Sequence, residues 1–266
     1  MIPSPVRRVA ESHSLPVLAP EKIRDPSFMS ALNGWTPQLI VVVAYGRILP
    51  RQILELAPQG CLNVHYSLLP KYRGAAPVAW AIINGEKKSG VTTMRLVEKM
   101  DAGPILLQCE VALGAGETTA SLESKLAPVG AELLLETIAR VKVGTVTPRA
   151  QSEEEATLAP MLKKEDGLID WRMPAVAIER RVRGLNPWPS AYTYLEGKLL
   201  KVHRAAVIMT GENAAPGEVV RAEKSALWVA TGDGALGLEE VQLENRKKMA
   251  ATEFLKGTRV EQGAHL

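Results

Sequence analysis

The chain has 266 residues and a mass of 28.8 kDa, enough for one large domain or two smaller ones, each with its own core. Apolar residues make up 46% and charged residues 23%, so the composition excludes disordered and fibrous proteins. The net charge of +3 does not indicate a nucleic-acid-binding protein by itself, and any such site has to be a local patch.

The first residues and the cysteines indicate the compartment. The apolar run at residues 39–45 is far shorter than the roughly 18 residues of a membrane-spanning helix. No apolar stretch follows the basic residues near Met1, so we expect no secretory signal and a cytoplasmic protein. Cys61 and Cys109 have no partner at metal-ligand spacing. We therefore expect two buried free thiols and no metal site.

The N-terminal part of the chain has an α/β pattern. Residues 38–46 and 61–65 are short apolar runs separated by a helix-like segment, which predicts two parallel strands in a right-handed βα unit. A helix is expected between Pro77 and Gly85. Two alternating strands then flank a turn at residues 101–104, and an amphipathic helix follows Thr118, with a bend at Pro128.

Two shifts in composition divide the chain into three parts. Residues 1–150 form the predicted α/β domain, and the charged segment 151–210 has no clear period and is interpreted as a linker. Turn residues cluster at 210–217, before short alternating stretches. Residues 211–266 are therefore predicted to form a small β domain of the barrel kind.

A polar cluster follows the second predicted strand. Asn63 and His65 are two residues apart and so face the same side of the strand, while Asp101 lies in the later turn. An amide donor, an imidazole and a carboxylate are suitable for acyl-type transfer. The alternative is that these side chains only form hydrogen bonds in the core or in turns.

The residues that follow this cluster have open interpretations. Four of them either line a pocket or only shape a loop, and they are Ser67, Leu68, Leu69 and Pro70. The next three either attract an anionic ligand or form an exposed basic turn, and they are Lys71, Tyr72 and Arg73.

Two further patterns lie near the C-terminus. Gly232, Gly234 and Gly237 match a dinucleotide-binding motif, but too few residues follow for a βαβ unit, and Asp233–Gly234 fits a hairpin turn better. A basic run either follows nucleic-acid phosphates or is a solvated face, and its members are Arg246, Lys247, Lys248, Lys256 and Arg259.

The segment that begins NVHYSLLPKYRGAAP, residues 63–108, closely resembles the core of the methionyl-tRNA formyltransferases. The similarity extends through VVVAYGRILP, LNPWPSAYT and KKMAATEFLKGTR to nearly the whole chain. It implies a Rossmann-like catalytic domain, a C-terminal oligonucleotide-binding (OB-like) barrel, and formyl transfer from 10-formyltetrahydrofolate to the amine of initiator methionyl-tRNA. No metal is implied, and we expect a monomer.

The resemblance also implies roles for individual residues. Asn63 and His65 donate to the developing oxyanion, Asp101 keeps His65 partly cationic, and Asp101 accepts the amine proton through water. Folate lies against the SLLP segment and two loops, in contact with Tyr45, Gly46, Arg47, Ile48, Leu49 and Val97. The basic run from Arg246 to Arg259 binds the acceptor stem of tRNA.

The resemblance further implies that the sequence begins near the end of the first βαβ unit of the family, about 30 to 40 residues late. We therefore expect an exposed apolar sheet edge at residues 39–44 and weaker acceptor recognition. Two rival functions stay open. One is formyl transfer to a small amine, such as a sugar nucleotide or glycinamide ribonucleotide, and the other is an inactive folate- or tRNA-binding fragment.

Overall fold

The computed structural model describes residues 3–209, 214–223 and 226–266. The helices are α1 (Pro5–Ser12), α2 (Pro26–Gly34), α3 (Arg51–Leu54), α4 (Pro77–Ile83), α5 (Thr119–Lys142), α6 (Ala175–Gly184) and α7 (Ala251–Gly257), with a 3-10 turn at Lys164–Gly167. The strands are β1 (Ile40–Val42), β2 (Cys61–His65), β3 (Arg73–Gly74), β4 (Lys88–Arg95), β5 (Ile105–Ala112), β6 (Leu158–Ala159), β7 (Ala191–Leu195), β8 (Lys198–Ile208), β9 (Val219–Glu223), β10 (Ala226–Ala230), β11 (Ala235–Leu243) and β12 (Met249–Ala250).

The first sheet has the strand order β1-β2-β4-β5. β1 and β2 are parallel, as predicted, with Val42 opposite Asn63. β4 runs antiparallel to β2, and β5 antiparallel to β4, so the sheet is mixed. The direction of β4 follows from its connection, because the chain passes through α4 and enters β4 beside the end of β2, where Thr92 lies opposite His65.

Helix α5 covers one face of this sheet. It begins with a capping box in which Thr118 and Ser121 satisfy each other's backbone N–H groups. Its predicted apolar face is buried, with Leu122, Leu126 and Leu133 in one core cluster. Burial of each leucine contributes about 1.5–3 kcal/mol to stability. Pro128 lies inside α5, and the bend expected there stays a prediction.

The second sheet is antiparallel, with the order β7-β8-β11-β10-β9 and with β12 paired to β11. β7 and β8 belong to this sheet, although the segment 151–210 was predicted to be a linker. The linker interpretation was based on the charged residues at the start of that segment, and it overlooked the short alternating patterns of β7 and β8. The turn at Asp233–Gly234 joins β10 to β11, as predicted. Of the predicted turn 210–217, residues 210–213 lie outside the described part of the chain.

The connecting segment itself pairs and packs with the N-terminal part of the chain, in part through a separate two-stranded sheet. β6 pairs with β3 in parallel, so that Arg73 lies opposite Leu158 and Gly74 opposite Ala159. Helix α6 packs on α4, where a side chain at Gly184 would collide with Ile83. The two sheets are therefore joined by packed structure and not by a free linker.

Strand β1 forms the expected apolar edge of the first sheet, and Val41 and Val43 are 38% and 49% exposed. Of the two cysteines, Cys61 is buried, but Cys109 is only half-buried because it lies on the outer strand β5. Among the described residues, no helix combines the length and the hydropathy that crossing a bilayer requires.

Candidate active site

Strand β2 presents Asn63 and His65 on the same side, since side chains two residues apart share a face. Val64 points the other way, into the cluster beneath α5. Asn63 is half-buried, and its side-chain amide makes no hydrogen bond to the residues that the structure describes. Its donor group is therefore free to bind a ligand.

His65 is 6% exposed, and its two ring nitrogens face different groups. Nε2 lies 2.8 Å from the backbone carbonyl oxygen of Tyr72. A carbonyl oxygen only accepts, so Nε2 donates this hydrogen bond and carries a proton. Nδ1 faces Asp101, with 3.8 Å to Oδ2. The nitrogen that gains or loses the second proton is therefore the one beside the carboxylate.

Asp101 reaches His65 from the loop that follows β4. Its φ angle is +50°, in the left-handed region that few residues with a side chain adopt. The Oδ2 atom of Asp101 accepts a hydrogen bond from the backbone N–H of Gly74 at 2.8 Å. Gly74 has a φ angle of +128°, and a Cβ at this position would lie 2.5 Å from the Ala159 oxygen. Glycine is required here because β6 passes so close.

The SLLP segment, residues 67–70, has two roles: it shapes its own loop and it lines cavities. Ser67 is 1% exposed, and its hydroxyl donates to the Lys71 carbonyl oxygen at 2.7 Å. Leu69 is 2% exposed and packs with Met94. These two side chains shape the loop, which corresponds to the second interpretation of the segment. The segment also lines two cavities of about 430 and 450 Å³, as the first interpretation requires. Leu68 and Pro70 line both cavities, Leu69 lines the first and Ser67 lines the second.

Two loops with exposed apolar side chains lie beside these polar groups. The loop after β1 leaves the sheet next to Asn63 and carries Tyr45 and Ile48, which are 39% and 75% exposed. Gly46 and Arg47 in the same loop are exposed, and Leu49 is half-buried. Val97 and Met100 on the Asp101 loop are 42% and 55% exposed. Exposed apolar groups of this kind are typical of a surface that binds a ligand.

Lys71, Tyr72 and Arg73 do not form an exposed basic turn, and only Lys71 is exposed. Its ammonium group pairs with Glu86, at 3.4 Å. Tyr72 and Arg73 are 7% and 4% exposed. The pKa of Tyr72 is raised to about 12, chiefly by burial. The hydrogen bond from its hydroxyl to Glu86 contributes to this rise, while the one from Asn84 opposes it. These buried residues build the wall behind His65 and are not free to steer an anion.

The structure also brings Gln151 to the site, a residue that sequence reasoning assigned only to the start of the linker. Its amide contacts the backbone of the Asp101 loop and the guanidinium of Arg73. No periodicity or motif marked Gln151, because its contacts come from residues about 50 and 80 positions away.

Five basic residues were predicted to bind nucleic acid, and they fall into two groups. Lys248, Lys256 and Arg259 each pair with a carboxylate, at 3.1, 2.7 and 2.8 Å. Arg246 and Lys247 are exposed on the turn between β11 and β12, with no ion pair to a residue that the structure describes. Only these two keep their full charge available to a polyanion.

A free amide, an imidazole and a carboxylate thus lie beside two loops with exposed apolar side chains. An amide N–H and a protonated imidazole stabilise negative charge on an oxygen, and a carboxylate accepts a proton. This combination is suitable for transfer of an acyl group to an amine.

Comparison with known proteins identifies the family. The formyl transferase family model matches residues 2–138, and that of the formyl transferase C-terminal domain matches residues 161–259. A methionyl-tRNA formyltransferase of Geobacter metallireducens is 45% identical over 266 residues, which cover 100% of this chain and 85% of the relative. The one from Desulfotalea psychrophila is 50% identical over 256 residues, which cover 96% of this chain and 79% of the relative.

Solved structures share the fold at lower identity. The sugar 3N-formyl transferase WlaRD is 16% identical with a TM-score of 0.67, and the match covers 91% of this chain and 82% of that one. HypX from Aquifex aeolicus, solved with tetrahydrofolic acid, is 23% identical with a TM-score of 0.65. That match covers 90% of this chain but 44% of HypX. These structures show the shared fold, and the curated relatives at 45% and 50% identity show that the chain belongs to the methionyl-tRNA formyltransferase family.

Proposed function

We propose that this chain transfers the formyl group of 10-formyltetrahydrofolate to the amine of methionine on initiator tRNA. The observation that carries the proposal is the pairing of His65 with Asp101, 3.8 Å apart, beside the unengaged amide of Asn63. Relatives 43% to 50% identical bear the name methionyl-tRNA formyltransferase, which supports the choice of acceptor.

Asn63 is the first donor to the formyl oxygen. This oxygen gains negative charge when the amine attacks the formyl carbon, and an amide N–H already in place stabilises that charge without reorganisation. Loss of one such donor costs about 10²–10³ in rate in other enzymes. The half-buried position of Asn63 favours this role, because shielding from water strengthens the interaction.

His65 and Asp101 act as a pair. The Nε2–H of His65 is engaged by Tyr72, so Nδ1 is the nitrogen available for chemistry. When protonated, Nδ1 is the second donor to the formyl oxygen, and the carboxylate beside it stabilises the positive charge. Asp101 then accepts, through water, the proton that leaves the attacking amine. The bond between the formyl carbon and the folate nitrogen breaks, this nitrogen takes up a proton, and tetrahydrofolate would leave. Aminoacyl esters are weak bases, so a useful fraction of this amine is uncharged near neutral pH.

The folate is expected between two loops. Tyr45, Ile48 and Val97 provide exposed apolar surface for its planar ring, on either side of the polar groups. Leu68 and Pro70 line two cavities, one of which is also lined by Gln151, the residue that contacts the Asp101 loop. When bound, the folate supplies the formyl carbon. The buried Ser67 and Leu69 contribute by fixing the shape of the loop.

The C-terminal sheet is the proposed contact with tRNA, as an OB-like barrel. Arg246 and Lys247 supply the charge, because they are exposed and have no carboxylate partner among residues 3–209, 214–223 and 226–266. An acceptor of this kind implies a cytoplasmic enzyme that acts in translation initiation. The protein is expected to act as a monomer.

A second acceptor is a small amine on a nucleotide-linked sugar, which the similar fold of WlaRD favours. The two acceptors are separated by a transfer assay with radiolabelled formyl donor, using charged initiator tRNA in one reaction and an amino-sugar nucleotide in the other. Label on methionyl-tRNA supports the proposal. Label only on the sugar overturns it in favour of the second acceptor. Folate binding without transfer to either overturns both and identifies an inactive binding fragment.

A further inference from the structure

Gln151 holds the loop that carries Asp101. Its side-chain Nε2 donates to two backbone carbonyl oxygens of that loop, the one of Asp101 at 2.8 Å and the one of Gly103 at 2.7 Å. One planar amide thereby fixes the backbone at Asp101 and again two residues later, at Gly103. Because Asp101 has a left-handed backbone conformation, with a φ angle of +50°, the turn depends on support from outside.

Arg73 determines which way the amide of Gln151 points. Its Nε donates to Oε1 of Gln151 at 2.9 Å. Since a guanidinium group only donates, Oε1 must face Arg73, and both N–H bonds of Nε2 are then directed at the loop. Arg73 is 4% exposed and belongs to the paired strand β3. Its position is therefore well defined, and the hydrogen bond from it fixes the orientation of the Gln151 amide.

Glu153 adds a second contact at the surface. Its carboxylate pairs with Nη1 of Arg73 at 3.1 Å and with Nζ of Lys99, in the Asp101 loop, at 2.6 Å. Hydrogen bonds from Lys99 and Arg73 lower the pKa of Glu153 below its usual value. Glu153 is 61% exposed, and exposed ion pairs contribute little to stability. The shielded amide of Gln151 is therefore the principal restraint.

The contacts form a closed ring around the carboxylate. Gln151 fixes the backbone of Asp101, and the N–H of Gly74 fixes its Oδ2 atom at 2.8 Å. Gly74 follows Arg73 directly in β3, so the same two-residue strand orients both contacts. A shift of the Asp101 turn therefore also disturbs the distance of 3.8 Å to Nδ1 of His65.

We infer that Gln151 is a positioning residue, which holds the Asp101 carboxylate in place beside His65 and through it supports formyl transfer. This inference rests on the role proposed above for Asp101. Gln151 contacts no reacting atom, and its effect is exerted entirely through the Asp101 turn.

The first test needs no activity, because the Gly74 amide reports on Asp101. In Gln151→Ala, the released carboxylate leaves this N–H unprotected, and we expect its hydrogen exchange to accelerate by about tenfold or more. The matched control is Thr137→Val, which removes a buried hydrogen bond to Thr93 on the other side of the sheet. The control is expected to leave Gly74 unchanged. Unchanged exchange of Gly74 in Gln151→Ala overturns the inference.

The second test is a double-mutant cycle of formyl transfer in single turnovers. Gln151→Ala alone is expected to lower the rate about 10- to 100-fold, as misplacement of a reacting group does. In an Asp101→Asn background, the same change is expected to have no further effect. Losses that multiply in the double variant overturn the inference, because Gln151 then acts independently of the carboxylate.

Gln151→Glu provides the second variant, in case the alanine variant does not fold. It keeps the size of the side chain and its contact with Arg73 but turns a carboxylate oxygen toward the two carbonyl groups, so the same losses are expected. A full rate in Gln151→Glu contradicts the inference. If Asp101→Asn itself transfers formyl at the full rate, the proposed catalytic role fails, and the exchange of Gly74 still decides whether Gln151 holds the turn.

Discussion

The backbone carbonyl oxygen of Tyr72 accepts a hydrogen bond from Nε2 of His65 at 2.8 Å. This contact keeps a proton on Nε2 and leaves Nδ1 as the nitrogen that changes its protonation. Since Nδ1 lies 3.8 Å from Oδ2 of Asp101, any positive charge on the ring forms beside a carboxylate. The tautomer and the charge partner of His65 are therefore set by two different segments of the chain.

Replacement of Asp101 by Asn removes the negative charge of the side chain but keeps its size and shape. The amide oxygen of Asn is still able to accept the hydrogen bond from Gly74, so we expect a nearly unchanged melting temperature. The turnover number should fall by about 10²–10⁴, because the proton acceptor and the partner of protonated His65 are lost.

Asp170→Asn is the matched control for this experiment. Asp170 is a surface carboxylate paired with Arg172, and its loss should leave the turnover number unchanged. The measurement is initial-rate kinetics with charged initiator tRNA. Full turnover in Asp101→Asn would remove Asp101 from the mechanism.

Gly74→Ala should destabilise the protein strongly. The new Cβ would lie 2.5 Å from the Ala159 oxygen, at a φ angle of +128°. Strain and overpacking together are expected to lower the free energy of unfolding by roughly 2–5 kcal/mol. Gly197→Ala is the control, because Gly197 has a φ angle of +76° but no atom near its missing Cβ. Urea unfolding of both variants tests this expectation, which fails if the two losses are equal.

Tyr72 should ionise at a higher pH than an ordinary tyrosine. Burial raises its pKa to about 12 in the folded protein, against about 10 in the unfolded chain. The unfolded state therefore loses this proton first, and the free energy of unfolding declines as the pH rises from about 10 to about 12. The ultraviolet absorbance of phenolate measures the titration. The step near pH 12 should vanish in Tyr72→Phe, and its persistence would assign it to another residue.

The basic residues near the C-terminus should contribute unequally to tRNA binding. Replacement of Arg246 and Lys247 by Ala is expected to weaken binding and to reduce the slope of log affinity against log salt by about one per lost phosphate contact. Lys256 and Arg259 are paired with Glu253 and Glu261, so their replacement should change the slope less. Filter binding over a salt series tests both pairs. An unchanged slope on replacement of Arg246 and Lys247 would mean that these two residues lie on a solvated face and do not contact tRNA.

Local patterns were sufficient to predict the polar cluster and much of the secondary structure. Asn63 and His65 were identified because strand periodicity places them on one face, and helix α4 because Pro77 and Gly85 bracket it. Asp101 was identified from its turn, although only the structure gives its distance to His65. These features depend on neighbours in sequence, which a single chain reveals.

Features that depend on distant partners were missed or misjudged. Arg73 reads as an exposed basic residue, but Gln151 and Glu153, about 80 positions later, bury and neutralise it. Strands β7 and β8 were assigned to a linker because the charged sequence before them has no clear period, although the two strands form a local hairpin. The place of β8 in the second sheet depends on its long-range pairing with β11, which no local window contains.

The pairing of β3 with β6 limits how this protein can be recombined with its relatives. Leu158 and Ala159 lie between the two regions that match separate family models, yet they pair with Arg73 and Gly74 of β3. A chimera joined before Gln151 would thus combine the active-site loop of one parent with the support of another. Crossovers placed after β6 keep both from the same parent, so exchange of the C-terminal half should begin there.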